Sequence, residues 1–268
     1  MAWESLFAFH GGRPPWVSAL SQGTGIQALS RAAVRLADPR YLGAAQVALG
    51  IFRTPPPAGV RIATPLGAHY LQYSFAPRLR ILNGFVQALN GLADFVTLGG
   101  DADGQALLAA GLAQAQAEVP TFDTGAWSLY ARPGGESSLS YHVLLRDFLR
   151  SLCQRFPQPV VFCATAARFT TYLTTPPALV LRPTSAQARR PARLRFGLSK
   201  RSTVTLTLLR AGRPVLTRRA TVARGTGTFT FTPIEGGPLA VRLRAVDPAG
   251  NAAAVTGAIA VRPAARRG

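Results

Sequence analysis

The chain has 268 residues, 48% hydrophobic and 15% charged, which suits one or two folded domains and excludes wholesale disorder. Thirty basic residues against eleven acidic ones give a formal charge of +19. No apolar run reaches the ~18 residues of a membrane span, no basic-then-apolar leader follows Met1, and two cysteines cannot build a disulfide scaffold or a four-ligand zinc site.

Apolar residues at helical spacing (Leu20, Ile26, Leu29, Ala33, Val34, Leu36) predict a helix over residues 18–37. Asp38-Pro39 then supplies an N-cap and a proline at the first helical position for a second helix over 40–52. The same unit recurs. Leu82, Phe85, Val86, Leu89, Leu92 and Phe95 mark a helix over 80–98, and Asp101 caps its partner, which runs to Glu118. A third pair is predicted over 140–156 and 159–173. Three helical hairpins imply an α/α arrangement of inner and outer helices. The inserts at 54–79 and 119–139 are rich in Gly, Pro and aromatic residues and long enough to carry a site, with strand-like alternation at Val60–Ile62 and Trp127–Tyr130. Cys153 and Cys163 fall on consecutive helices and read as buried free thiols.

From residue 178 the period changes to that of strands. Leu194, Phe196 and Leu198 alternate with Arg193, Arg195 and Gly197, and further strands are expected near 204–209, 215–223, 227–232, 239–246 and 254–261. Short strands with closely spaced turns over some 85 residues predict an immunoglobulin-like β-sandwich. The predicted organisation is therefore multidomain α and β: an α/α domain over 1–174, a Thr/Pro linker at 175–177, the sandwich over 178–262 and a basic tail at 263–268. Charge divides along the same line. Residues 1–174 carry +4 and residues 175–268 carry +15, with Lys200 the only lysine of the chain. The arginines of the second part lie on polar strand faces, either as a solvated surface or as a face that attracts anionic polymers. No helix-turn-helix, zinc-finger or RNA-binding signature accompanies them, so no specific nucleic-acid partner is expected.

Four motifs in the first part stand in a recognisable order. They are Pro15-Trp16-Val17-Ser18-Ala19-Leu20-Ser21-Gln22-Gly23, then Leu82-Asn83-Gly84-Phe85 with Gly91-Leu92-Ala93-Asp94, then Phe122-Asp123-Thr124-Gly125 with Tyr130, and finally Tyr141-His142. Together they resemble the C-terminal helical catalytic domain of the D-glucuronyl C5-epimerase family, which implies that the hairpins form an incomplete α/α toroid. In the second part Ala245-Val246-Asp247-Pro248-Ala249-Gly250-Asn251 resembles a strand end of bacterial Ig-like domains. The first resemblance implies an isomerase that inverts C5 of uronic-acid residues in an acidic, heparan-sulfate-like polysaccharide, with no cofactor and no metal. The family's upstream β-rich regions have no counterpart in the dozen residues before the first motif, so the chain reads as the distal part of a longer product or a minimal version.

Inverting C5 removes a proton α to a carboxylate and returns one from the opposite face, which needs two acid/base groups and donors for an enolate-like dianion. The resemblance assigns acid/base roles to Tyr130 and Tyr141 and carboxylate support to Arg132, although the Tyr-to-Arg spacing is one residue shorter than the family's. A tyrosine can serve if a cation lowers its pKa from ~10. Gln22, Gln72, Tyr73, Asn83 and His142 are the substrate-binding candidates. Gln22 and Asn83 can equally satisfy buried backbone groups, and Asp123-Thr124-Gly125 reads most simply as a turn bonding its own backbone. His69 reads as structural. Gln72 stands where the family places a catalytic glutamate, and an amide cannot act as a carboxylate base. That departure keeps a non-catalytic polysaccharide-binding or assembly protein open, alongside a polysaccharide lyase. The Ig-like type implies an extracellular or envelope location, the leaderless start a cytoplasmic one, and a homodimer is left open.

Overall fold

The structure is a computed structural model that describes residues 1–99 and 101–264; residues 265–268 of the expected basic tail lie outside the described residues. The chain divides into two compact units, one of Met1–Thr124 with Ser128–Thr170, the other of Gly125–Trp127 with Thr171–Gly268.

The first unit is built on helical pairs. Helices α1 (Ala19–Arg35) and α2 (Pro39–Ala48) meet at Asp38, whose carboxylate accepts the Arg40 backbone N–H. The helix expected to run to Phe52 is broken at Leu49, and a short α3 (Gly50–Arg53) follows. Helix α4 (Leu82–Gly99) starts two residues later than expected, because Arg80–Ile81 form a strand instead. Asp101 caps α5 (Ala102–Glu118) by accepting from Gly104 N at 2.8 Å. The last pair is α6 (Leu139–Arg155) and α7 (Val161–Tyr172). Helix α4 is central: residues Leu82–Phe95 are all buried, and it packs on α1, α5 and α6.

Several motif residues turn out to hold this arrangement together. A Cβ on Gly91 would lie 2.0 Å from the Gly23 carbonyl oxygen, so the α1–α4 approach excludes any side chain there. Asp94, 5% exposed, pairs with Arg31 at 2.6 Å, with Arg155 and with the Gln27 amide, joining α1, α4 and α6. The expectation of free thiols at Cys153 and Cys163 is overturned: they form a disulfide between α6 and α7. The tight turn between those helices brings the two Cα atoms to 4.8 Å, within bridging range.

Short strands lie between the helices. β1 (Glu4–Ser5) pairs with β2 (Trp16–Val17), and β3 (Arg61–Thr64) with β4 (Gly67–Tyr70). β5 (Arg80–Ile81) pairs with β6 (Ala131–Arg132), with Arg80 directly opposite Arg132. Strand pairing near Trp127–Tyr130 is reduced to isolated bridges (Asp123 with Ser128, Leu129 with Glu136), and the paired segment falls just beyond it.

The second unit contains two sheets: β7 (Leu179–Leu181), β9 (Ala192–Leu198) and β12 (Gly225–Phe231) in one, and β8 (Ser185–Gln187), β10 (Ser202–Arg210), β11 (Arg213–Val222), β13 (Gly237–Val246) and β14 (Ala252–Arg262) in the other. On β9, β10, β12 and β13 every second residue is buried, which puts Leu194, Phe196, Leu206, Leu208, Phe231 and Leu243 into one shared core. Among the described residues, only the β8–β14 pair is parallel. Within this core unit, Lys200 is buried and pairs with Asp247 at 2.7 Å, with side chains 1% and 0% exposed. Its ammonium also donates to Tyr172 O (3.0 Å) and Thr175 O (2.6 Å) and lies 5.2 Å from the Trp127 ring centroid. Asp247 in turn accepts from the backbone N–H of Ala249 and Asn251, while Gly250 takes φ +90° to close the turn. That accounts physically for the Asp-Pro-Ala-Gly-Asn segment.

Candidate active site

Three tyrosines from distant parts of the first unit meet. Tyr73 follows β4, Tyr130 precedes β6, and Tyr141 lies in the first turn of α6, whose Ser138 cap accepts the Tyr141 backbone N–H. The hydroxyls of Tyr73 and Tyr130 are 3.5 Å apart, and the rings of Tyr130 and Tyr141 are 4.7 Å apart between centroids. Tyr141 is 43% exposed; Tyr73 and Tyr130 are half-buried. An aromatic wall backs Tyr73: Phe75 stacks on it, and Phe9 and Trp16 touch its ring at 5.4 and 5.6 Å. Burial, then the hydrogen bond and charge of Tyr73 and the neighbouring Tyr141, push the Tyr130 phenol above its ordinary value. Tyr130 is thus a protonated phenol at neutral pH, with its pKa raised and not lowered by a cation.

Arg132 is exposed on β6 and, with Arg80 across the ladder, lines a cleft of about 470 Å³ that also takes in Gln114, Glu118 and Thr121. Two guanidiniums on neighbouring strands make that rim suitable for a carboxylate. Beneath it lies a pair that the sequence did not reveal. His69 Nδ1 donates to Glu118 Oε2 at 3.0 Å, and Gln114 donates to the same oxygen. Burial holds the fully enclosed His69 below its ordinary pKa, so it is neutral. Burial alone would raise Glu118, but the donors His69 and Gln114 and the Arg80 charge more than offset this and keep it ionised. His69 and Glu118 stand 49 residues apart and share no motif, so no sequence signal links them.

The polar candidates separate into two sets. Among the described residues, Gln72 Oε1 and Asn83 Oδ1 are buried without a hydrogen-bond partner. Gln72 Oε1 occupies the space where a Cβ on Gly84 would be, at 1.8 Å, so the glycine of the Leu-Asn-Gly-Phe motif makes room for residue 72. Gln22 and His142, by contrast, are spent on the fold. Gln22 is fully buried, accepting from Trp3 N at 3.1 Å and donating to Trp3 O at 2.7 Å. His142 is fully buried; Nδ1 accepts from Ser128 N–H at 3.2 Å and Nε2 donates to Phe169 O at 2.9 Å. Neither is open to a ligand, because an amide or imidazole whose polar atoms are all engaged in the interior has none left for substrate. Asp123 also pairs with Arg168 of α7 at 2.7 Å, beside Gly125 at φ +81°.

A family model described as D-glucuronyl C5-epimerase C-terminus matches residues 1–171. The chain belongs to that family. The D-glucuronyl C5-epimerase of Caenorhabditis elegans is 33% identical over 130 residues, 44% of this chain and 21% of that protein. An uncharacterized protein of Methanocaldococcus jannaschii is 30% identical over 136 residues, 49% of this chain and 44% of that one. The chain therefore spans less than half the length of these curated relatives. Among solved structures, cellobiose 2-epimerase from Spirochaeta thermophila aligns with a TM-score of 0.45 at 16% identity, over 58% of this chain and 42% of that one. CopC from Methylosinus trichosporium aligns at 0.27 and 16% identity, over 34% of this chain and 99% of that one. Within the family's matched span fall Gly23, Gly91 and Asp94, which pack the helices, and Tyr73, Tyr130 and Tyr141, which converge beside them. Among the described residues no helix is long and apolar enough to cross a membrane, and no group of three or more His, Cys, Asp or Glu could hold a metal ion.

Proposed function

We propose that the first unit is a carbohydrate epimerase that inverts C5 of uronic-acid residues in an acidic polysaccharide. The observation that carries this reading is the convergence of Tyr73, Tyr130 and Tyr141. Arg132, with Arg80 opposite, holds the uronate carboxylate and draws charge from C5. Tyr141 takes the C5 proton as the general base, and the electron pair moves into the carboxylate to give an enolate-like dianion that the guanidiniums stabilise. Tyr130, kept protonated by its surroundings, returns a proton to the other face. Tyr141 then releases the captured proton to solvent, and Tyr73, within reach of the Tyr130 hydroxyl, relays a solvent proton back to Tyr130 to reset the pair. Gln72 and Asn83, with unpartnered oxygens, accept from sugar hydroxyls. The domain boundaries are read as 1–174 and 178–262 around a 175–177 linker. The first is read as an incomplete α/α toroid, the second as Ig-like, on its two sheets and its Asp247–Asn251 turn.

Purified protein carrying Tyr141→Phe or Tyr130→Phe is expected to lose more than ~99% of C5 exchange with solvent while keeping its thermal midpoint. General acid–base groups contribute ~10²–10⁴-fold, so two variants that both retain full exchange would end this reading. A second reading, a non-catalytic polysaccharide binder, is favoured by one observation: Gln72 puts an amide where the family has a carboxylate. Polymer binding without exchange would select it. A lyase would instead release a product with a 4,5-double bond that absorbs in the ultraviolet.

A further inference from the structure

The outer face of the five-stranded sheet in the second unit presents cations in a fixed lattice. The register places Arg219, Thr205, Arg244 and Ala254 in one row across β11, β10, β13 and β14, and Thr217, Thr207, Arg242 and Thr256 in the next. A third row begins with Thr221 and Thr203. Arg219, Arg242 and Arg244 are all exposed, and among the described residues none of them makes a hydrogen bond or ion pair. Arg219 and Arg244 are two strands apart, about 9.6 Å, and Arg242 and Arg244 two residues apart along one strand, about 6.7 Å. Their neighbours in these rows are threonines and alanines with Val246 in the third, small or β-branched side chains that leave hydroxyls between the guanidiniums. The only acids after residue 174 are Asp247, whose side chain is fully buried against Lys200, and Glu235, in the turn between β12 and β13. Nothing on the face neutralises it.

We propose that this face, Arg219–Arg242–Arg244 with its threonine rows, is a docking surface for an acidic polysaccharide. Charge complementarity selects a polyanion: a unit carrying +15 over residues 175–268 concentrates anionic polymer around it, and unpaired guanidiniums bind carboxylate or sulfate bidentately. Carbohydrate is favoured over single-stranded nucleic acid because these three rows hold no aromatic side chain for base stacking. Threonine hydroxyls, in turn, can hydrogen-bond sugar oxygens and sulfates alike. The surface is independent of the tyrosine site, since it lies wholly in the second unit and needs no chemistry.

The test compares the intact protein with the triple variant R219T/R242T/R244T, which keeps strand-favouring residues and matches the neighbouring threonines. A control, R193T/R195T, removes two exposed arginines from the other sheet. Binding to polygalacturonate (carboxylates only) and to heparin (sulfates and carboxylates) is titrated at several salt concentrations, with duplex DNA as competitor. The triple variant is expected to bind at least one polysaccharide about tenfold or more weakly, with a shallower salt dependence, while the control stays within about twofold. An unchanged thermal midpoint and unchanged C5 exchange on a short soluble oligosaccharide show that fold and tyrosine site are intact, so failure of this proposal and failure of the epimerase reading are separable. Equal losses in triple variant and control, or no loss in the triple variant, would overturn the assignment. So would DNA binding tighter than either polysaccharide with the same arginine dependence.

Discussion

Replacing Lys200 by methionine should destabilise the second unit severely, although the side chain touches no candidate site. Methionine preserves the apolar stem while removing the charge. In the parent, the ammonium satisfies three acceptors (Tyr172 O, Thr175 O and Asp247 Oδ2) at 2.6–3.0 Å, from a position 1% exposed to solvent. Its loss takes the ammonium donor from two carbonyls and leaves a fully buried carboxylate without its counter-charge, although Asp247 keeps the donors Ala249 N, Asn251 N and Asn251 Nδ2. Removing one partner of a buried pair costs about 3–5 kcal/mol. At ~4 °C per kcal/mol for a unit of this size, the corresponding fall in its thermal midpoint is some 12–20 °C. Hydrogen exchange reads the unit directly: a loss of about 3 kcal/mol speeds globally protected amides of β10 and β13 by about a hundredfold. The double variant K200M/D247N, which removes the stranded charge, should recover a substantial part of the loss. Protection within a factor of three of the parent in Lys200→Met would refute the reasoning, because the pair would then be worth no more than a surface contact.

Gly91→Ala places a methyl 2.0 Å from the Gly23 carbonyl, backbone against backbone, so the α1–α4 crossing must open; a loss of about 1–3 kcal/mol in urea unfolding is expected, and none if the helices separate freely. The double variant C153S/C163S releases a ten-residue separation and should cost about 2–3 kcal/mol, read as a reductant-independent drop to the midpoint of the reduced parent. For the pH profile the sign follows from Tyr130: its pKa is raised, so its proton is lost only above the ordinary tyrosine value near 10, and activity should not fall through loss of that acid below about pH 10. Tyr73→Phe removes one of the interactions that raise it, so the alkaline limb should move to lower pH; an unmoved or raised limb contradicts the Tyr73–Tyr130 coupling.

Much of the local structure could be read from residue patterns. Asp38-Pro39 and Asp101 predicted helix starts because a short acceptor before the first turn satisfies backbone N–H groups there, and both carboxylates do so. The alternation through Arg193–Leu198 anticipated β9 because a one-sided core imposes a period of two. What escaped was set by tertiary proximity. The disulfide depends on how closely α6 and α7 return, and the His69–Glu118 pair on β4 meeting the end of α5. Gln22 and His142 illustrate a different limit. A polar side chain on an apolar helix has the same sequence appearance whether it faces a ligand or clamps a backbone, and both of these clamp a backbone. Asn83 has that same appearance, yet it keeps an unpartnered oxygen among the described residues, as does Gln72 in the loop after β4.

The most direct measurement incubates the purified protein in deuterium oxide with a glucuronate-containing polysaccharide and follows the C5 position by NMR. Deuterium should enter at C5, accompanied by the C5-inverted uronate and by no ultraviolet-absorbing 4,5-unsaturated sugar, and Tyr141→Phe should abolish the exchange. A C5 proton signal that stays intact under conditions where the polymer is bound, or an unsaturated product in place of the inverted one, would contradict the epimerase reading.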